Sequence, residues 1–387
     1  MKADLDAIVI GCGAMGASAC AWLARRGARV VGIEQFTRGH DRGSSHGGSR
    51  VVRETYFESS DYVPLVRRAM DQFRELEELT GERLLRRCGV LYLGDPGGAV
   101  MRGVGESADR HALAIERLDE GTLRRRFPMF AMPEGAQAIF EPGGGFVRPE
   151  RCIRAWLRLA EGHGASIREG ERVESIEEGA KSVVVETDAE RYEAGAVIIT
   201  AGAWTSQLLP RLGRLLRATR QPLAWIEPDA GANGAAGAGG AGDAVSCPVW
   251  FIEDGDRGPF YGVPTADDQD PPHGLKVARH VPGESIDPDA PRAEVTEHER
   301  RDLEDAMRRL VPGAAGRATA AATCLYTMTP DEHFIIDRAP ERRRTFVACG
   351  FSGHGFKFAP VIGEILADLV QKGSTELPCG FLRASRF

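Results

Sequence analysis

Ile8–Val9–Ile10 runs straight into Gly11–Cys12–Gly13–Ala14–Met15–Gly16, an apolar strand entering a turn that three glycines keep free of side chains. In the pattern G-x-G-x-x-G one glycine makes the tight turn and one lets the backbone approach phosphates. The third lets the following helix pack on the strand. Periodicity predicts a strand over Leu5–Ile10, a helix over Ala14–Arg26 ended by Gly27, and a second strand over Arg29–Glu34. In that βαβ order the helix N-terminus, with its exposed N–H groups and positive dipole end, holds a pyrophosphate. Glu34, closing the second strand, is placed to accept hydrogen bonds from a ribose and to repel a 2′-phosphate. The expectation is a dinucleotide cofactor touching Gly11, Gly13, Ala14, Met15, Gly16, Glu34 and Gln35. The competing reading is that the glycines serve helix–strand packing alone.

The rest of the composition narrows the class. A chain of 387 residues can bury one large core or two domains. Its net charge of −7 argues against a nucleic-acid partner, which wants a basic surface. Eight cysteines are scattered without C-x-x-C spacing or a Cys/His cluster, so no metal site is expected. Residues 7–24 carry no charge, but glycines interrupt them and acidic residues precede them, which excludes both a signal peptide and a membrane span. A cytoplasmic setting with reduced thiols follows. Basic charge is almost all arginine; the lysines are Lys2, Lys181, Lys276, Lys357 and Lys372, so each deserves inspection.

Helical spacing recurs over 60–80, Glu150–His163, Thr296–Leu310 and Ala359–Gln371, and strands are expected over Gly89–Gly94, Val183–Thr187, Ala196–Thr200, Phe334–Asp337 and Thr345–Cys349. Residues 230–242 are nearly all Gly and Ala and are expected to form a flexible surface loop. The fold class expected is α/β: a discontinuous Rossmann-type cofactor domain (1–85, 147–218 and 320–387) with an inserted mixed-sheet α+β substrate domain (86–146 and 219–319).

A nicotinamide enzyme would continue with regular βα units. Here a polar, glycine-rich stretch from Arg38 to Arg50 follows the second strand instead. Such a stretch is ordinarily a surface loop, yet it can also wrap an extended cofactor and turn Arg50 and Arg53 toward it, which favours FAD. Arg53 has a second reading, as the salt-bridge partner of Glu54 or Glu58. Against it, near neighbours along a strand do not readily face each other.

Several segments carry a specific likeness: Gly43–Arg53 (GSSHGGSRVVR), Tyr62–Leu65 (YVPL), Phe140–Phe146 (FEPGGGF), Ala201–Trp204 (AGAW), Gly274–Lys276 (GLK), Cys324, Pro330–Asp337 (PDEHFIID) and Phe351–Phe358 (FSGHGFKF). Together they resemble the sarcosine oxidase and N-methyltryptophan oxidase family, within the amine-oxidising flavoproteins that include D-amino-acid oxidase. The resemblance implies a two-domain fold of the D-amino-acid oxidase type and a monomer. It implies FAD attached through the sulfur of Cys324 to the flavin 8α carbon, with Ser44, Ser45, Arg50, Val173, Gly353 and Lys357 among its contacts. It further implies that Lys276 assists oxygen reduction and that Arg53 and Lys357 clamp a substrate carboxylate. His280, His354, Tyr261 and Tyr326 then correspond to active-site imidazoles and ring-bearing walls. Read from the sequence without that likeness, Cys324 is a small buried hydrophobe, Lys276 a snorkelling lysine, and each histidine as much structural as chemical.

The implied reaction oxidises the N-methyl C–N bond of a small amino acid to an imine. Water cleaves the imine to formaldehyde and the free amino acid, and O2 becomes hydrogen peroxide. No carboxylate base stands among the matched residues, so the substrate amine must lose its proton on binding. Phe251, Ala278–Arg279, Trp225 and Ser385–Arg386–Phe387 depart from the sarcosine oxidase pattern, leaving the accepted side chain open. A cyclic imino acid oxidase (pipecolate or proline type) and a non-catalytic flavin-binding protein are the alternatives.

Overall fold

The computed structural model describes residues 5–229, 247–265 and 272–387, so the expected Gly/Ala loop at 230–242 lies outside the described residues. The opening unit forms as its pattern predicts: β1 (Leu5–Ile10), α1 (Ala14–Arg25) and β2 (Val30–Glu34). Gly27 takes φ +81°, the left-handed turn that lets the chain reverse into β2. β1 lies parallel between β2 and Arg191–Ile199, in the middle of an eight-stranded sheet among the described residues. Thr345–Cys349 adds on parallel to the far half of Arg191–Ile199. From Ala7 to Ile10 both faces of β1 are buried, which is why that stretch reads as a continuous apolar run. On one face α1, Pro149–Gly162 and Ala359–Lys372 pack as a layer, and Leu23, Trp156 and Ile362 are part of that core.

The second large sheet, also eight-stranded among the described residues, runs in the order Gly316–Met328, Arg217–Pro228, Leu275–Arg279, Pro259–Val263, Val249–Glu253, Val90–Gly94, Gln137–Glu141, Glu116–Leu118. Its mixed pairing and its separate core around Trp250, Leu275 and Leu303 set it apart from the first. The expected domain boundaries after 218 and 319 fall inside Arg217–Pro228 and Gly316–Met328, and both strands run wholly in this second sheet. The chain therefore has the α/β architecture with a second, mixed-sheet α+β unit. Helix Glu297–Leu310 begins at a capping box, Thr296 and Glu299 satisfying each other's backbone N–H groups, one residue later than its hydrophobic spacing suggested.

Strand period decides what the second sheet shows to the first. Residues two apart share a face, so Gln221, Leu223 and Trp225 stand beside Lys276, Ala278 and His280, and beside Ala322, Cys324 and Tyr326. The opposite face takes Ala224, Ile226, Leu275 and Val277 into the core under helix Glu297–Leu310. One alternation thus separates packing residues from those that carry chemistry.

Candidate active site

A single cavity joins the glycine-rich turn of the first sheet to that chemically loaded face of the second, enclosing about 1850 Å³ of empty space including its open mouth. At one end stand Gly11, Gly13, Ala14, Met15, Glu34, Gln35 and Val173; at the other, Arg53, Tyr261, His280, Tyr326, Gly353, His354 and Lys357; Ser44, Ser45, Arg50 and Cys324 are part of the same wall. Gly16 and Lys276 do not line it. Gly16 lies beneath the turn, where a Cβ would sit 1.9 Å from the carbonyl oxygen of Gly11, so its task is close packing.

The turn has the features of a phosphate cradle. Gly11 takes φ +87°, and a Cβ there would strike the carbonyl oxygen of Thr200 at 2.7 Å. Gly13 is different: a Cβ would meet nothing nearer than Ser45 Oγ at 4.0 Å, so its bare backbone leaves room for a ligand. The N-terminus of α1 starts at Gly13 with no side chain capping it, leaving first-turn N–H groups for an anion. Glu34 Oε2 accepts the N–H of Cys12 at 2.9 Å and Oε1 that of Phe36 at 3.0 Å, fixing the carboxylate at the end of β2. Burial raises its pKa, and those backbone donors oppose the rise. A long cavity with an anion-binding helix end and a buried acidic group beside it fits an extended dinucleotide.

Cys324 is held midway. Arg50, the first residue of β3 (Arg50–Val52), donates from Nη2 to the Cys324 sulfur at 3.2 Å and to the carbonyl of Ser44 at 2.6 Å. Burial alone would push the thiol up, but Arg50, His46 and Lys276 outweigh it and bring it down to about 6. A thiol with that pKa is largely thiolate at neutral pH and nucleophilic. His46 stands out only once the fold is known; in the sequence it is one imidazole in a glycine-rich loop.

Lys276 lies behind the wall, 2% exposed, with Nζ donating to the carbonyls of Gly47 at 3.0 Å and Ser49 at 2.8 Å. Burial, with Arg50 nearby, lowers its pKa well below the usual lysine value; Cys324 and Glu150 oppose this. The 43–50 loop therefore covers Lys276 while presenting Arg50 to the cavity.

The inner end holds a charge cluster that the sequence reading misjudged. Arg53 Nη2 donates to both oxygens of Glu58, at 2.6 and 2.7 Å, and Nη1 donates to the carbonyl of Thr55 at 2.7 Å. The argument that near neighbours do not face each other fails because β3 ends at Val52, and the loop that follows turns back on itself. Glu58, absent from the expected site residues, is thus a cavity carboxylate. Burial opposes its charge, yet Arg53, His354 and Lys357 hold it down at about 2. The Arg53 guanidinium also lies 4.1 Å from the Phe57 ring centroid and 4.4 Å from that of Tyr56.

Lys357 Nζ donates to the carbonyl of His354 at 2.7 Å and approaches the Tyr56 hydroxyl at 3.4 Å. Burial and then Arg53 depress its pKa well below the ordinary value, and Glu58 opposes them. Burial likewise keeps His354 at about 3 and His280 at about 4, so both imidazoles are neutral at pH 7. Phe251 stacks between Tyr92 (5.9 Å) and Tyr261 (5.8 Å), and His280 meets Tyr261 edge-on at 6.1 Å. Gly353, at φ +82°, lies flat on the Tyr326 ring, where a Cβ would come within 2.3 Å. The result is an aromatic box with Arg53 and Lys357 at its inner end.

A family model described as DAO, FAD dependent oxidoreductase, matches residues 6–369. The chain belongs to this family of FAD-dependent oxidoreductases. It is 40% identical to monomeric sarcosine oxidase of Streptomyces avermitilis, over 100% of this chain and 98% of that one. It is 33% identical to N-methyl-L-tryptophan oxidase of Yersinia pestis, over 99% of this chain and 100% of that one. A solved structure of NikD, titled an unusual amino acid oxidase essential for nikkomycin biosynthesis, superposes with a TM-score of 0.85 at 25% identity, covering 98% of this chain and 97% of that one. The cofactor is accordingly FAD, and the phosphate cradle and Glu34 are the residues that fit its dinucleotide portion. Among the described residues no helix is long and apolar enough to cross a membrane, and no group of side chains is arranged to hold a metal ion.

Proposed function

We propose that this protein is an FAD-dependent oxidase of N-methyl amino acids, forming an imine that water cleaves to formaldehyde and the free amino acid. The observation that carries the reading is the cavity itself. Arg53 and Lys357, inside an aromatic box, share one space with the phosphate cradle and a thiol of depressed pKa. FAD, once bound, accepts two electrons from the substrate carbon and delivers them to O2, giving hydrogen peroxide.

The chain's own residues do the rest. Cys324, its sulfur held as thiolate by Arg50, is the residue that would hold the flavin through a thioether at the 8α carbon, the two electrons released from the 8α C–H bond passing through the flavin to O2. Lys357 receives the substrate carboxylate, and Arg53 joins it when Glu58 yields Nη2. The two groups fix the small amino acid by its carboxylate in one orientation, which removes rotational freedom before reaction. Tyr261, Phe251, Tyr326 and neutral His280 wall the site and exclude water from the carbon that loses hydride. Lys276, fixed behind the loop by two carbonyls, supplies positive potential toward oxygen as it gains charge. The names of the relatives support N-methyl amino acids as the substrate class. A monomeric state is supported by the name of the Streptomyces protein, and a cytoplasmic setting by cysteines that form no disulfide among the described residues.

Peroxide release against a panel of N-methylglycine, N-methyl-L-tryptophan, L-proline and L-pipecolate tests the reading. Turnover of the N-methyl compounds with equimolar formaldehyde is expected. Turnover confined to the cyclic compounds, or none, refutes it.

A further inference from the structure

Resting on that reading, we infer that Lys357 is a neutral amine in the free enzyme and accepts the ammonium proton of the incoming amino acid. The step moves one proton and no electrons: R2NH2+ and the lysine amine become R2NH and the lysine ammonium.

Arg53 and Glu58 pair through both carboxylate oxygens and cancel. Lys357 is buried, and among the described residues it has no ion pair of its own. A protonated Lys357 would leave one uncompensated charge in a water-poor pocket, which is costly. Its polar contacts are few, one carbonyl acceptor at 2.7 Å and a phenol oxygen at 3.4 Å; the Tyr56 and Phe358 rings at 4.9 and 5.4 Å favour the ammonium, but by less than burial without a counter-charge opposes it. Lys276, with two carbonyls within 3.0 Å, has the better-supported ammonium.

Other acceptors facing the pocket are unsuited. His354 Nε2 lies 3.0 Å from the carbonyl of Glu332, which only accepts, so the proton sits on Nε2. Nδ1 is then the acceptor for the Tyr56 hydroxyl, which touches it, so the imidazole has no free lone pair for the substrate, and a neutral phenol oxygen is too weak a base to take an ammonium proton. Glu58 is engaged by Arg53, and His280 is held neutral by burial at about 4. An alkylammonium does not surrender its proton to groups that weak. Lys357 can take it, and the charge it gains is the one the substrate carboxylate needs. The pocket stays electroneutral before and after binding, with Arg53, Glu58, His280, His354 and Tyr56 keeping their protonation states.

Acetate, a carboxylate with no proton to bring, exposes the step. Calorimetric titration of the holoenzyme at pH 8, in buffers of different ionisation enthalpy, should show uptake of about one proton per acetate bound. Lys357→Arg keeps the charge but cannot accept, so it should bind acetate with no uptake. Its anaerobic flavin reduction by N-methylglycine should fall roughly tenfold per pH unit below the amine pKa, where wild type stays flat. Wild-type binding without proton uptake overturns the inference and leaves the proposed oxidation standing. No acetate binding at all overturns the carboxylate pocket and this inference with it. The wild-type measurement decides even if the variant does not fold.

Discussion

Arg53 and Glu58, five residues apart on one loop, form a bidentate ion pair at the inner end of the cavity, with Arg53 only 1% exposed. On the proposed function, Glu58 already sits where the substrate carboxylate is to dock. The pair holds the loop in shape and makes Glu58 a competitor for the site.

Replacing Glu58 with Gln keeps the hydrogen-bonding shape and removes the charge. Acetate affinity should rise about tenfold, since the competing carboxylate is gone. Stability should fall by about 3 kcal/mol, the usual consequence of leaving a buried charge without its partner. Thermal melting and an acetate titration check both; unchanged or weaker acetate binding would remove Glu58 from the gate.

Cys324→Ala removes the sulfur that Arg50 addresses at 3.2 Å. Flavin should then be released by acid precipitation, whereas in the wild type it should remain on the polypeptide and add its mass to the denatured chain. The cradle at Gly11 and Gly13 is untouched, so the variant should still bind FAD. Flavin extractable from wild type would refute the attachment.

Lys276→Met keeps the length of the side chain and deletes its charge behind the 43–50 loop. Flavin reoxidation by O2 should slow by about a hundredfold or more, and anaerobic reduction by substrate by much less. Rapid-mixing measurements of the two half-reactions separate these; equal slowing would assign Lys276 to loop structure alone.

Acid should destabilise the fold earlier than carboxylates would cause. His354 and His280 have folded pKa values near 3 and 4, below the ordinary 6.5. Between those values the unfolded chain binds more protons, so stability is complete above pH 6.5 and declines as pH falls toward 4. At pH 5 the two together remove at most about 4 kcal/mol. Glu58, near 2, adds its loss below pH 4.5 as the carboxylate protonates. Melting temperatures at pH 7, 6 and 5 should fall progressively, and His354→Gln should flatten the slope.

Much of the fold was written in local pattern. Glycine spacing, the apolar run Ala7–Ile10 and Glu34 specify β1, α1 and β2 because turn sterics and helix dipoles act over a few residues. Period two likewise puts Cys324 with Tyr326, and Lys276 with His280, on common faces before any partner strand is known. The family likeness supplied the chemistry for those faces, which periodicity does not contain.

Tertiary structure decided the rest. It joined Gly13 to Lys357 in one cavity across more than three hundred residues, placed Lys276 behind the wall, and turned Glu58 onto Arg53. It also determined which buried groups keep their charge, because desolvation and ion pairing depend on neighbours from several elements at once. Residue spacing carries the periodicity of the backbone; only the assembled sheets define the dielectric around a proton.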